Sequence, residues 1–227
     1  MSNASLSITL LTLGFIAYQF VISSERLRAG FAKRVGQERS LAWWIYFQRL
    51  WGLLLYGLVP LVIFSLMGNS LSDFGVKFQS GRETLIWTAG LGAVVVLMNY
   101  FVGRTPSNLA MYPQIRMNRW PRSVVVASAV TWVLYLLAYE FMFRGWLFFS
   151  CLDAMGPELA IVVNVSLYAL VHVPKGFNET VGAIPLGALL CWLTMQTGTI
   201  WIAFLVHSIM ALSNEWFSMY YTRKVRA

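Results

Sequence analysis

From Ser123 to Phe149 the chain carries only two charges, Glu140 and Arg144, in a run long enough to cross a bilayer. A crossing helix needs ~20 mostly apolar residues, because backbone amides surrounded by lipid must bond within their own segment. Six more runs share this character: Ser5–Ser23, Leu41–Met67, Thr84–Val102, Pro157–Val173, Val181–Gln196 and Thr199–Met219. Hydrophobic residues make up 58% of the chain and charged ones 11%, against about 25% charged in a soluble domain. The predicted fold class is all-α, a polytopic transmembrane helical bundle of about seven spans, with eight as the alternative count. No alternating ~10-residue segments point to an outer-membrane barrel. Leu41–Met67 is too long for one straight crossing. Its aromatic start, LAWWIYFQRLW, carries Arg49 and is read as interfacial, with the crossing proper from Leu50.

The net charge of +8 raises nucleic acid as a partner, but the basic residues sit between spans and at the C-terminus, where a membrane protein carries them. With the N-terminus outside, the inside segments hold thirteen Lys and Arg, including Lys224 and Arg226 of the tail, and the outside ones hold Lys77 and Arg82. That bias follows the positive-inside rule and predicts a cytoplasmic C-terminus and no nucleic-acid partner. The first apolar run has no basic leader and no small-residue cleavage site after it, so it reads as a retained span. Residues 24–40 place Leu27, Phe31 and Val35 four apart among basic residues. A helix on the inner leaflet and a solvated loop both fit that pattern. Cys151 and Cys191 form neither a disulfide framework nor a metal pattern. The chain reads as one integral membrane domain, 1–227, with N-terminal spans and basic loops over 1–122 and the polar site within 123–219.

Four ionisable residues are assigned to span interiors: Glu140, Arg144, His172 and His207. Each charge at a helix centre costs roughly 2.5–3.5 kcal/mol, so such groups face a bundle interior or a wet cavity. Glu140 and Arg144 are four apart, on one helical face, and able to pair. From the pair alone, a clamp between helices and a functional site stand about level. Both histidines of the chain lie in other spans. Two His and one Glu meeting in one cavity supply the parts that activate water at a carbonyl. The same three would serve as metal ligands, and spacing does not choose between the two.

The residues then resemble a known family. Glu140-Phe-Met-Phe-Arg144 followed by Gly145 resembles the second half of the EExxxR motif of the CPBP family, the CAAX prenyl proteases and bacteriocin-processing (Abi) enzymes. SLYALVHVP resembles the second motif, with Tyr168 four before His172. GTIWIAFLVHSIMA resembles the third, leading into His207. The resemblance covers roughly Thr131 to Trp216. It implies an intramembrane endopeptidase of the glutamate type in a bacterial inner (plasma) membrane, acting on membrane-associated peptides or proteins, with no cofactor and with a protein partner as an option. It gives Glu140 and His172 the activation of water, Arg144 the orientation of the carboxylate, and His207 the oxyanion. Zinc on Glu140, His172 and His207 is the alternative chemistry.

Two positions depart from the family pattern. The family's first Glu is Tyr139 here, and the Asn or Asp four after the third-motif His is Ala211. Asn214, seven after His207, returns to within ~20° of the same helical face, and Glu179 is a further carboxylate near His172. Both are carried as supporting candidates together with Tyr139. A non-cutting family member acting as a scaffold, immunity or partner-binding protein is the second reading. A proton-coupled carrier is the third, and no inverted repeat supports it. In this topology Glu140 and His207 lie near mid-membrane and His172 near the inner end, so a shared site requires the fifth span to be tilted, kinked or sunken.

Overall fold

The structure, a computed structural model, describes residues 2–117 and 119–226; the side chains at 37, 38 and 224–226, with Lys224 and Arg226 of the basic tail, lie outside that description. Among the described residues every regular element is helical. α1 (Asn3–Ile22) starts at Ser2, whose hydroxyl accepts from the Ser5 amide. α2 (Glu25–Val35) starts at Ser24, which caps the Leu27 amide. Its acidic first turn (Glu25) and basic last turn (Lys33, Arg34) both suit the helix dipole. Residues 25–35 are therefore helix and not a solvated loop. Phe31 turns back onto Trp44 and Phe47, with ring centroids 5.4 and 5.1 Å apart.

α3 (Gln37–Leu53) runs through a π-helical turn, Leu54–Leu58, into α4 (Val59–Leu66). The stretch too long for one straight crossing is thus a single helical rod from Arg39 to Leu66. α5 (Gly81–Val102), the short α6 (Pro106–Met111) and α7 (Arg122–Glu140) follow. α7 continues through a second π-helical segment, Phe141–Leu147, into α8 (Phe148–His172). α9 (Phe177–Thr197) and α10 (Trp201–Arg226) complete the chain.

Five of these stretches are long and apolar enough to cross a membrane. One of them, Arg122–Lys175, is interrupted at Gly156, whose φ of 79° and ψ of 173° no helix contains. There the chain turns back, as the contact of Tyr139 with His172 requires, and the stretch becomes two crossings. α10 packs along α5 and is long enough to be a further one. The predicted all-α bundle holds, and reading the interrupted stretch as two crossings and α10 as a further one matches the predicted seven. Asn3 bonds Asn69, Gln79 bonds the Thr197 carbonyl, and the Ile200 amide bonds the Gly75 carbonyl, which gathers one set of loops at one end. The basic 103–121 loop meets α9 and α10 at the other.

Arg49 departs from its expected place. It is 4% exposed, inside the bundle. Its Nη1 donates to the carbonyl and hydroxyl of Ser128 (2.7 and 2.9 Å) and to Thr131 Oγ1 (3.3 Å), and its Nη2 donates to Gln114 Oε1 (2.9 Å). The guanidinium lies 4.3 Å from the Trp132 ring centre. The Gln114 amide in turn donates to both oxygens of Glu215, at 3.2 and 3.1 Å. Glu215, in α10, is 1% exposed and joins Arg49 as a sixth ionisable group inside the spans. An interfacial arginine would reach toward headgroups. This one has acceptors on α7 and in the loop that hold it inward.

Breaking a buried, hydrogen-bonded charge cluster costs about 3–5 kcal/mol. Arg49→Ala is expected to lose that much stability, read as a lowered Tm in detergent with faster proteolysis of the 103–121 loop. Arg49→Lys is expected to recover only part of it, because a single ammonium lacks the planar fork that serves Ser128 and Gln114 together.

Candidate active site

The site is built where the π-helical segment meets α8 and α10. Glu140 is the last residue of α7 and Arg144 the fourth of the segment Phe141–Leu147. Both are fully buried. Arg144 Nη1 lies 3.1 Å from Glu140 Oε2 and donates to Oε1 at 3.4 Å. The guanidinium also sits 4.0 Å from the centre of the Tyr168 ring, a cation–π contact of about 2 kcal/mol when desolvated. On the other side of the carboxylate, His207 Nδ1 donates to Glu140 Oε1 at 2.6 Å. One carboxylate therefore joins a guanidinium and an imidazole, on two different helices, into a short buried chain.

A π-helical turn leaves backbone groups out of the α-helical ladder, and such turns gather at functional sites. Here Asn164 of α8 donates to the Phe143 carbonyl at 2.6 Å, and Cys191 of α9 donates to the Asn164 side-chain oxygen at 3.1 Å. Asn164, with no exposed surface, thus locks the segment that carries Arg144. Gly187 of α9 lets that helix come close. A Cβ there would stand 3.1 Å from the Tyr168 ring and 3.6 Å from Arg144 Nη2.

His172 lies on the facing helix at the same depth, since it follows Gly156 by as many residues as Glu140 precedes it. A fold-back at Gly156 brings the two level. The depth mismatch expected from the sequence is resolved by this hairpin and by the start of α7 at Arg122, outside the apolar run. His172 does not bond Glu140. Its Nδ1 donates to the Tyr168 carbonyl of its own helix at 2.7 Å. Carboxylate and carbonyl oxygens accept and do not donate, so both histidines carry their proton on Nδ1. In the neutral rings Nε2 is left with a lone pair.

Tyr139 packs against both histidines. Its ring centre is 6.3 Å from that of His172 and 5.7 Å from that of His207, edge-on to both. Tyr56, Tyr135, Phe143 and Tyr168 close the rest of its cage. Its hydroxyl is buried and bonds to nothing among the described residues, which costs about 1–3 kcal/mol. The supporting candidates lie elsewhere. Glu179 belongs to the first turn of α9, because Gly176 (φ 94°) lets that helix start at once. It accepts from Tyr112 Oη at 2.9 Å and pairs with Lys175 at 3.6 Å, and neither histidine reaches it. Burial pushes the Tyr112 phenol well above its usual range, and the Glu179 carboxylate adds to this, so Tyr112 is a neutral donor. Asn214 has a buried side-chain oxygen without a partner and makes no bond to His207. Among the described residues no three His, Cys, Asp or Glu are gathered to hold a metal ion.

Sequence reasoning missed Asn164, Arg49 and Glu215. Asn164 and Glu215 were legible as polar residues inside apolar runs. Arg49 reads as interfacial, and its inward turn to Ser128 and Gln114 was not legible.

Residues 119–213 match the family described as Rce1-like, type II CAAX prenyl endopeptidase. Over this segment, a little under half of the chain, the protein is similar to the CAAX prenyl proteases. No curated protein and no solved structure matches it significantly. The CAAX-protease segment contains Tyr139, Glu140, Arg144, His172, Glu179 and His207. It stops short of Asn214, and Arg49, Gln114 and Glu215 all lie outside it.

Arg144→Ala would leave Glu140 with His207 alone, and is expected to destabilise by about 3–5 kcal/mol. Because the two residues share one network, Arg144→Ala with Glu140→Ala is expected to cost less than the sum of the single changes. A double-mutant cycle of Tm values in detergent measures the difference, and strict additivity would contradict the pairing.

Proposed function

We propose that the protein is an intramembrane endopeptidase that hydrolyses peptide bonds of membrane-associated peptides or proteins, with a Glu140–His207 dyad as its base. The family supports the protease class. The 2.6 Å bond from His207 Nδ1 to Glu140 Oε1 carries the assignment of the base. Both carboxylate oxygens are engaged, one by Arg144 alone and one by His207 and Arg144. Such a carboxylate is better suited to orient an imidazole than to take a proton itself. The arrangement has the logic of a carboxylate–histidine pair in acyl transfer, where the carboxylate fixes tautomer and orientation and Nε2 does the proton transfer.

In this reading His207 Nε2 removes a proton from water and the water oxygen bonds to the peptide carbonyl carbon. The same nitrogen then returns the proton to the leaving amine as the C–N bond breaks. His172, fixed through the Tyr168 carbonyl, accepts the second hydrogen of the water and aims it. Arg144 holds Glu140 ionised and in place. This reading assigns no step to a metal. Tyr139 in place of the family's first Glu, and Ala211 in place of its Asn or Asp, favour the second reading, a family member that binds membrane segments without cutting them.

Cleavage of a panel of membrane-anchored peptides, prenylated and unmodified, by detergent-purified protein separates the two. Glu140→Gln and His207→Ala are expected each to lower kcat by about 10³–10⁴-fold, and together by little more than either alone. His172→Ala is expected to cost less, and a chelator is expected to leave the rate unchanged. Undiminished cleavage by Glu140→Gln would remove the dyad from the mechanism. Cleavage by none of these proteins, wild type included, moves the conclusion to the non-cutting reading.

For orientation, the thirteen-to-two distribution of Lys and Arg supports a cytoplasmic C-terminus and an N-terminus outside. A C-terminal reporter active only in the cytoplasm is expected to be active, and an N-terminal one silent.

A further inference from the structure

We propose that Tyr139 is the hydrogen-bond donor that holds the tetrahedral oxyanion. The inference rests on the hydrolase reading above and adds a catalytic residue to it. Neither histidine is equipped for the task at the moment of attack. The Nδ1–H of His207 is committed to Glu140 and that of His172 to the Tyr168 carbonyl. Each neutral ring then offers only a lone pair at Nε2, which accepts a proton and donates nothing. Arg144 Nη1 is committed to Glu140, its Nε and Nη2 are buried without a partner among the described residues, and Nη2 lies beside Gly187 of α9. A developing negative oxygen beside these imidazoles needs a donor that neither ring supplies.

Tyr139 has one. Its ring stands edge-on to both histidines, 6.3 and 5.7 Å from their centres, and only 5% of the residue is exposed. Its hydroxyl is buried and bonds to nothing among the described residues. If the position were only core, phenylalanine would fill the same cage of rings and bury no unpaired hydroxyl. A hydroxyl kept there has a use for a partner that arrives with the substrate. A neutral O–H in a water-poor site is suited to a charge that exists only in the transition state, because it stabilises that charge more than the ground-state carbonyl. When the oxygen of water bonds to the carbonyl carbon, the C=O electron pair moves onto oxygen, and that oxygen accepts from Tyr139 Oη–H. The proton stays on the phenol throughout, and the pair returns as the C–N bond breaks.

The test is Tyr139→Phe, which removes one oxygen and leaves the ring cage full. Its Tm is expected to equal or exceed that of wild type. With any peptide that the wild type cleaves, kcat is expected to fall by about 10²–10³-fold with KM unchanged. Wild-type kcat in Tyr139→Phe overturns the inference while leaving the hydrolase reading in place, and Glu140→Gln in the same assay reports on that reading separately. If the wild type cleaves none of the panel, binding of a lipid-anchored peptide aldehyde decides, since its hydrate mimics the tetrahedral adduct. Binding at least tenfold weaker in Tyr139→Phe than in wild type supports the donor role. Equal binding overturns it. No binding by either protein overturns the hydrolase reading and this inference together.

Discussion

Everything at the centre of this bundle follows from the burial of one carboxylate. Glu140 has no exposed surface, and an unpaired carboxylate in such surroundings is expensive enough to be driven neutral or out of the membrane. Arg144 from the next turn and His207 from α10 meet it from two sides. Each partner must itself be held. Arg144 lies against the Tyr168 ring, and its backbone segment is pinned by Asn164 at the Phe143 carbonyl. His207 is held by the packing of α10 along α5 and α7. The charge is thus stabilised only when α7, α8, α9 and α10 are in their native places, so the site and the fold of this half of the molecule are one object.

The second buried cluster does a comparable service for the other half. Arg49 connects α3 to α7 through Ser128 and Thr131, and to the 103–121 loop through Gln114, whose amide reaches Glu215 on α10. None of its charged members lies within the CAAX-protease segment. It fastens the N-terminal helices and the loop to the outside of the segment that matches the CAAX proteases. Tyr112 extends the same loop to α9 by bonding Glu179. A loop with this many buried anchors is a structural strap joining the ends of α3, α7, α9 and α10.

The substitution at 139 changes the chemistry that the site can do. A carboxylate at that position, beside two imidazoles, would be an obvious base. A phenol there is a neutral donor in a cage of aromatic rings. The remaining acid, one residue on, points along the helix surface toward Arg144 and His207 instead. In the proposed reading, basicity resides on imidazole nitrogens, whose tautomers are fixed by the acceptors at Nδ1, and donation resides on the phenol.

The sequence by itself determined the class of fold and the pairing of Glu140 with Arg144. Runs of ~20 apolar residues admit only helices in a bilayer, and the few ionisable residues within them had to converge. The spacing of Glu140 and Arg144 showed that they pair, because a helix repeats every 3.6 residues. What lay beyond it was every relation between residues on different helices. The hairpin at Gly156 that levels His172 with Glu140, the choice of His207 over His172 as the carboxylate's partner, and the inward turn of Arg49 toward Ser128 and Gln114 all depend on how helices are packed and rotated against one another. A period along one helix says which residues share a face. Only tertiary packing says what that face meets.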